Sequence, residues 1–354
     1  MSTSPGTSFS LRQKIGALLI DVPRFLWAVY GPTVQGAHWT RYGNRRDRLR
    51  FDPDGRGVAC DWESTRTLHL CDVFPWSGRR LLTAALRDCP IRFMETPGPF
   101  ASTSAAPDVC FIIGHRGEER LPHLLLVLKS IAAQQDVRFE CIVVEQDMAP
   151  LVRDRLPGWV KYVHAPVSSP ETPYIRSLAF NVGARLAAAP LLVFHDDDML
   201  VPAEYAAEIL RCRNQGYEVI NLKRFIFYLA KRDGPGGLFA WDEQGLPMDA
   251  VIENLEAGGS VAITREAFEA IGGFDEDFVG WGGEDVEFWQ RARTRRVWSF
   301  GYLPLVHLWH PSQPGKYPKK RTPGMERLRQ LSAIPPEQRI RALREAGGGG
   351  AGRP

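Results

Sequence analysis

Three adjacent carboxylates, Asp196, Asp197 and Asp198, follow directly on the apolar run Leu191–Phe194 and His195. Like charges this close repel one another. A divalent cation offsets that repulsion, and hard oxygen ligands suit Mg²⁺ or Mn²⁺. Successive side chains of an extended chain point to opposite sides, so Asp196 and Asp198 are expected to share a side while Asp197 faces away. The competing reading is a solvated acidic turn capping a helix over residues 203–213. The position at the end of a buried strand favours the metal. A second constellation spans Gly258 to Ala292. There Gly282 and Gly283 let the backbone approach a ligand closely, and Glu284 and Asp285 open a helix through Val286, Phe288 and Trp289. The helix dipole favours ionised carboxylates at that end. An ionised carboxylate in a cleft can take the proton of a substrate hydroxyl within hydrogen-bond reach. Taken singly, Glu284 and Asp285 also read as capping charges, and Trp281 as packing.

These groups need a scaffold, and the middle of the chain supplies one. The apolar runs Val109–Ile113, Cys141–Val144, Val160–His164 and Leu191–His195 read as strands. Between them Leu121–Gln134 carries Leu124, Leu125, Leu128 and Ile131 at helical spacing, with Pro122 suited to a first turn. Tyr174–Ala189 does the same with Ile175, Leu178, Val182 and Leu186. Strands alternating with helices imply an α/β fold with a mainly parallel sheet flanked by helices. In such sheets ligands bind beyond the carboxyl ends of the strands, where the aspartate triplet falls.

The 354 residues divide by composition into an N-terminal region (1–95), an uncharged Pro/Ser/Ala linker (96–107), the α/β domain (108–312) and a basic, Pro- and Gly-rich tail (313–354). With 44 Lys plus Arg against 41 Asp plus Glu, the net charge of +3 argues against a dedicated nucleic-acid binder, whose domain pI would exceed about 9. The six cysteines are scattered, with no CxxC pair, as expected of a reduced cytoplasmic chain. A membrane-spanning helix needs ~20 apolar residues, and the run Ile15–Ile20 is bracketed by Lys14 and Asp21. Residues 11–30 are expected to form a helix packed on the protein's own core, the alternative being a helix lying on a membrane surface. Residues 60–76 alternate enough to form strands. The cluster Arg41, Arg45, Arg46, Arg48 and Arg50, with the basic residues 316–321, is expected to be solvated surface or a contact for anionic lipid head groups on the inner membrane face or for a lipid-diphosphate acceptor.

The motifs taken together resemble those of the β-1,4-galactosyltransferase C-terminal family and, more distantly, of the polypeptide N-acetylgalactosaminyltransferases, sugar-nucleotide enzymes of the GT-A fold. The likeness covers about 200 residues in order. IIGHRGEERLPHL resembles their first strand and nucleotide-binding turn, VVEQ the end of their second strand, and YIRSLAFNVGARLA the helix before their metal motif. FHDDDML stands in the place of their Asp-x-Asp, GGSVAITREAFEAIGGF leads into GWGGED, and HLWHP falls where they place a metal histidine. The resemblance implies that Asp198 and His310 bind Mn²⁺ or Mg²⁺. His307, a Met in the galactosyltransferases, stands as a second histidine ligand. It further implies that Asp196 contacts the nucleotide ribose or a metal-bound water, that Arg116 and Arg176 contact the nucleotide, that Glu284 contacts the sugar and that Asp285 is the catalytic base. Trp281, Gly282 and Gly283 would form a loop closing over the donor. Val286 replaces an acidic residue that holds the galactosyltransferases' acceptor, which points to a different acceptor here. Retaining relatives carry Asn in place of Asp285, so the Asp implies inversion. The expected reaction moves a hexose or N-acetylhexosamine from a UDP-sugar to a hydroxyl of a saccharide or glycolipid. The rival readings are a non-catalytic nucleotide-sugar-binding module of the same fold and a nucleotidyltransferase. The absence of Lys from Gly114–Arg120 weakens the nucleotidyltransferase reading.

Overall fold

The computed structural model describes residues 9–31, 38–43, 48–60, 66–67, 69–99, 105–231, 248–253, 257–311 and 322–348. Its centre is a seven-stranded sheet in the order Val297–Trp298, Val219–Ile220, Ser260–Thr264, Leu191–His195, Val109–His115, Phe139–Glu145, Lys161–His164. The last four of these run parallel, and Ser260–Thr264 pairs antiparallel with both of its neighbours. The expected mixed, mainly parallel sheet flanked by helices is therefore observed.

The central strands are continuous apolar runs because both faces of the sheet are covered. Val109, Phe111 and Ile113 pack on one face, beneath Leu124, Val127, Leu128 and Ile131 of the Leu121–Ala132 helix. Cys110 and Ile112 pack on the other, against Ala179, Phe180 and Ala184 of the Arg176–Leu186 helix. That second helix comes so close that a Cβ on Gly183 would stand 2.2 Å from Ile112.

A second sheet, in the order Arg66–Thr67, Met248–Glu253, Lys223–Leu229, Leu303–His307, Met199–Leu200, starts where the aspartate turn ends. It draws in the N-terminal region. Phe25, Trp39, Tyr42 and Leu81 share one core with Phe225 and Val306. The fully buried Arg224 donates to the carbonyls of Thr40 and Tyr42 and lies 3.4 Å from Glu253.

One expectation is corrected. Beyond the strand Val58–Cys60 and the short Arg66–Thr67 strand, residues 60–76 turn helical, with helices at His69–Val73 and Pro75–Asp88. Pro75 sits in the first turn of the latter, where its missing N–H costs nothing. The C-terminal tail folds into helices Pro323–Leu331 and Pro336–Gly348. Thr322 caps the first of these, accepting a hydrogen bond from the Met325 amide. Arg45, Arg46 and residues 316–321 lie outside the described residues.

Candidate active site

The Leu191–His195 strand delivers the aspartate turn, and His195 fixes it. Its buried ring donates from Nε2 to the Met199 carbonyl at 2.8 Å, and Nδ1 lies 2.8 Å from Ser260 Oγ. Burial pulls this imidazole down to about 4, so it stays neutral. The Asp196 amide donates to the Gly259 carbonyl at 2.9 Å, pinning the turn to the antiparallel neighbour.

The three carboxylates do not alternate as an extended chain would, because the chain turns at 196–198. Asp197 accepts from His115 Nδ1 at 2.9 Å and from Arg120 Nη2 at 2.8 Å. The same guanidinium nitrogen stands 2.5 Å from Asp198 Oδ2. Asp196 points instead to Arg176. Asp197 and Asp198 therefore converge, and Asp196 is the one that departs.

Asp198 also faces His310 Nε2 at 3.2 Å and His307 Nε2 at 3.6 Å. The ligand atoms of these three residues all lie within 4.8 Å of one another. The second sheet makes this meeting possible, since Leu303–His307 pairs antiparallel with Met199–Leu200 and sets His307 opposite Met199. The His307 ring stacks on Tyr228 at 4.3 Å. His310 Nδ1 lies 2.7 Å from the Pro311 carbonyl. A carbonyl only accepts, so Nδ1 carries a proton, and Nε2 is the ring nitrogen turned toward Asp198. Burial would raise the Asp198 carboxyl, but His307, His310 and Arg120 outweigh it and hold the group well below the usual range. Asp198 Oδ1 is buried without a hydrogen-bond partner. An unsatisfied anionic oxygen beside two imidazoles at this separation fits a divalent metal.

Arg176 joins Asp196 to the second constellation. Its guanidinium pairs with Asp196, lies 3.4 Å from Glu284 Oε1 and rests 4.6 Å from the Phe180 ring centre. Gly283 precedes the Glu284–Ala292 helix at φ +99°, and a Cβ there would stand 2.7 Å from the Gly324 carbonyl oxygen. Glycine is required on both counts. Burial first, then the neighbouring Asp285, pushes Glu284 up to about 7 against the pull of Arg176. Its Oε2 is buried with no partner. Asp285 Oδ1 accepts from the Val286 amide at 2.8 Å, and Oδ2 comes within 2.5 Å of where a Cβ of Gly258 would stand. Arg176, Gly258, Asp285 and Phe288 line one small pocket. Five carboxylates (Asp196, Asp197, Asp198, Glu284, Asp285) thus meet two guanidinium groups, Arg120 and Arg176. A bound cation would offset that surplus of negative charge.

Of the residues expected at the site, Asp198, His307 and His310 meet in one cluster and Asp196, Arg176 and Glu284 in another, with Asp285 beside Glu284 on the same helix turn. Trp281 is 42% exposed. Arg116 points elsewhere, donating to the carbonyls of Thr172 at 2.5 Å and Pro170 at 3.2 Å. Arg120 and His115, at the two ends of the same turn, are the residues that sequence reasoning missed. Nothing local in GHRGEER separates Arg120 from Arg116.

Residues 253–302 match a family model described as the N-terminal domain of galactosyltransferase. That segment holds Trp281 to Asp285 but not the aspartate turn or the two histidines. The chain is 27% identical over 244 residues to a validoxylamine A glucosyltransferase of Streptomyces hygroscopicus subsp. limoneus, covering 59% of this chain and 52% of the relative. It is 28% identical over 141 residues to polypeptide N-acetylgalactosaminyltransferase 4 of Caenorhabditis elegans, covering 34% and 23%. The chain thus spans about half the length, or less, of the curated relatives it matches. A crystal structure of GalNAc-T7 with UDP, GalNAc and Mn²⁺ aligns with a TM-score of 0.41 at 14% identity, over 59% of this chain and 45% of that one. The chain is a relative of glycosyltransferases, and the resemblance drawn from its motifs is borne out.

Proposed function

We propose that the protein is a metal-dependent, inverting glycosyltransferase. It moves a hexose or N-acetylhexosamine from a UDP-sugar to a hydroxyl of a saccharide or glycolipid, in bacterial polysaccharide or glycoconjugate synthesis. The observation that carries this reading is the closeness of two groups of residues, with Arg176 tying Glu284 to Asp196, two residues before Asp198. One is a set able to hold a cation (Asp198, His307, His310). The other is a helix N-terminus with adjacent carboxylates (Glu284, Asp285). The names of the relatives support a sugar donor, glucose in one case and N-acetylgalactosamine in the other. The six buried free thiols suit a reducing, cytoplasmic setting.

Asp198, His310 and His307 would hold Mn²⁺, which when bound neutralises charge on the leaving diphosphate. The chain's own residues do the rest. Asp285 takes the proton of the acceptor hydroxyl, which attacks the anomeric carbon from the face opposite the leaving nucleotide and inverts its configuration. The transition state has oxocarbenium character. Glu284, pushed up to about 7, is partly protonated near neutrality and can donate to or accept from a sugar hydroxyl. Arg176 holds Glu284 and Asp196 at fixed spacing. The glycine pair Gly282–Gly283 lets the Trp281 loop fold over the donor and exclude water.

The test is turnover of a panel of UDP-sugars with Mn²⁺, read as UDP release with a panel of saccharide acceptors and analysed for anomeric configuration. A product of inverted configuration supports the reading. A retained configuration removes Asp285 as base. Tight UDP-sugar binding without turnover on any acceptor or on water would favour the non-catalytic module.

A further inference from the structure

The Leu11–Tyr30 helix does pack on the core, yet only through one side. Ala17, Asp21, Phe25 and Ala28 are buried, and Phe25 meets Tyr42 and Trp76 edge-on. The opposite side is also apolar. At helical spacing Ile15, Leu19, Leu26 and Tyr30 form one stripe with Trp27 beside it. Leu19 is 73% exposed, Tyr30 64%, Leu26 48% and Trp27 45%. A contiguous exposed stripe of this kind marks a docking surface.

We infer that this face docks on an anionic lipid surface, with the helix lying in the interface plane. The proposal is independent of the reaction at the cleft. Three observations select a membrane over another occupant. The first is charge. The exposed charges of this helix are Arg12, on the stripe itself, and Lys14 and Arg24 around the rest of its surface, and its one acid, Asp21, is buried. The neighbouring Pro75–Asp88 helix adds exposed Arg79 and Arg80 one turn from Trp76, itself 48% exposed, and its one acid is the terminal Asp88. A second copy of this chain docked through the same face would bring these like charges together, whereas acidic head groups complement them. The second is residue type. Trp27, Tyr30 and Trp76 are the amphipathic aromatics that sit at head-group level. The third is geometry. The stripe runs along a helix of 20 residues, about 30 Å long, and no described helix is long and apolar enough to cross a membrane. An interfacial helix satisfies both facts.

The test is co-sedimentation of the full chain with phosphatidylcholine vesicles, with and without about a third phosphatidylglycerol. Binding at least about tenfold stronger to the anionic vesicles is expected. The exposed double variant Leu19→Ser/Leu26→Ser should lose about tenfold or more of it while keeping its circular dichroism and UDP-sugar turnover. Arg12→Glu/Lys14→Glu should erase the preference for anionic vesicles. No binding by the wild type, or binding indifferent to both variants, overturns the proposal. So does a dimer, seen by light scattering, that Leu19→Ser/Leu26→Ser dissolves in a chain that ignores vesicles.

Discussion

Two glutamates one turn apart on the Glu284–Ala292 helix are treated in opposite ways. Glu287, 1% exposed, accepts from Arg291 Nη2 at 2.7 Å, from Arg291 Nε at 2.8 Å and from Arg339 Nη1 at 3.0 Å. Arg291 then donates to the carbonyls of Ile271 and Gly273 at 2.6 Å each. Glu284 has one guanidinium at 3.4 Å, a carboxylate beside it and an oxygen with no partner. The first arrangement ties the C-terminal Pro336–Gly348 helix to the domain. The second leaves a buried acid short of partners in a cleft, where such groups more often serve chemistry than stability. Neighbours, not residue type, divide the two roles.

That division can be broken from either side. The largest effect is expected at the cleft end. Asp285→Asn should lower transfer about 10²- to 10⁴-fold while leaving calorimetric UDP-sugar affinity within about threefold, and retained turnover would remove the base assignment. Next, Glu287→Ala strands two buried guanidinium groups. It should cost about 3–5 kcal/mol of stability in urea unfolding, and a loss of activity without a loss of stability would contradict its structural role.

Glu284→Gln should do the reverse and stabilise. The folded-state carboxyl is raised from 4.5 to about 7, so the folded chain favours the protonated acid. Wild-type stability is then full below pH 4.5 and is lost as pH rises through about 7. The variant escapes that loss. Its advantage should be about 1–3 kcal/mol at pH 8 and vanish below pH 4.5, read from thermal melts at the two pH values. An unchanged difference across that range would mean that Glu284 is as well satisfied as Glu287.

The same contrast explains what the sequence disclosed. The strands were legible because burial on both faces makes them continuous apolar runs. The aspartate turn and the Glu284–Asp285 helix start were legible because both are local signals. Arg120 was not. It reaches Asp197 and Asp198 from 77 and 78 residues away, and no local pattern records such a pairing. Nor was the direction of Asp197, which depends on the turn at 196–198 and on His115 across the sheet. The helices of the tail were not read because Gly, Arg and Pro dominate its composition. Its helix signals were present all the same, in the Thr322 cap followed by Pro323 and in Pro336 at a first turn. The apolar outer stripe of the first helix gave the same periodicity as a core face. Only the fold shows which side is covered.

Calorimetric titration of UDP into the wild type and into Asp198→Ala, each with and without Mn²⁺, asks whether Asp198 holds a cation that serves the nucleotide. UDP binding to the wild type should depend on Mn²⁺, and in the variant the metal should confer no affinity. Equal binding with and without Mn²⁺ in the wild type, or a variant that keeps the full metal dependence, would contradict that role.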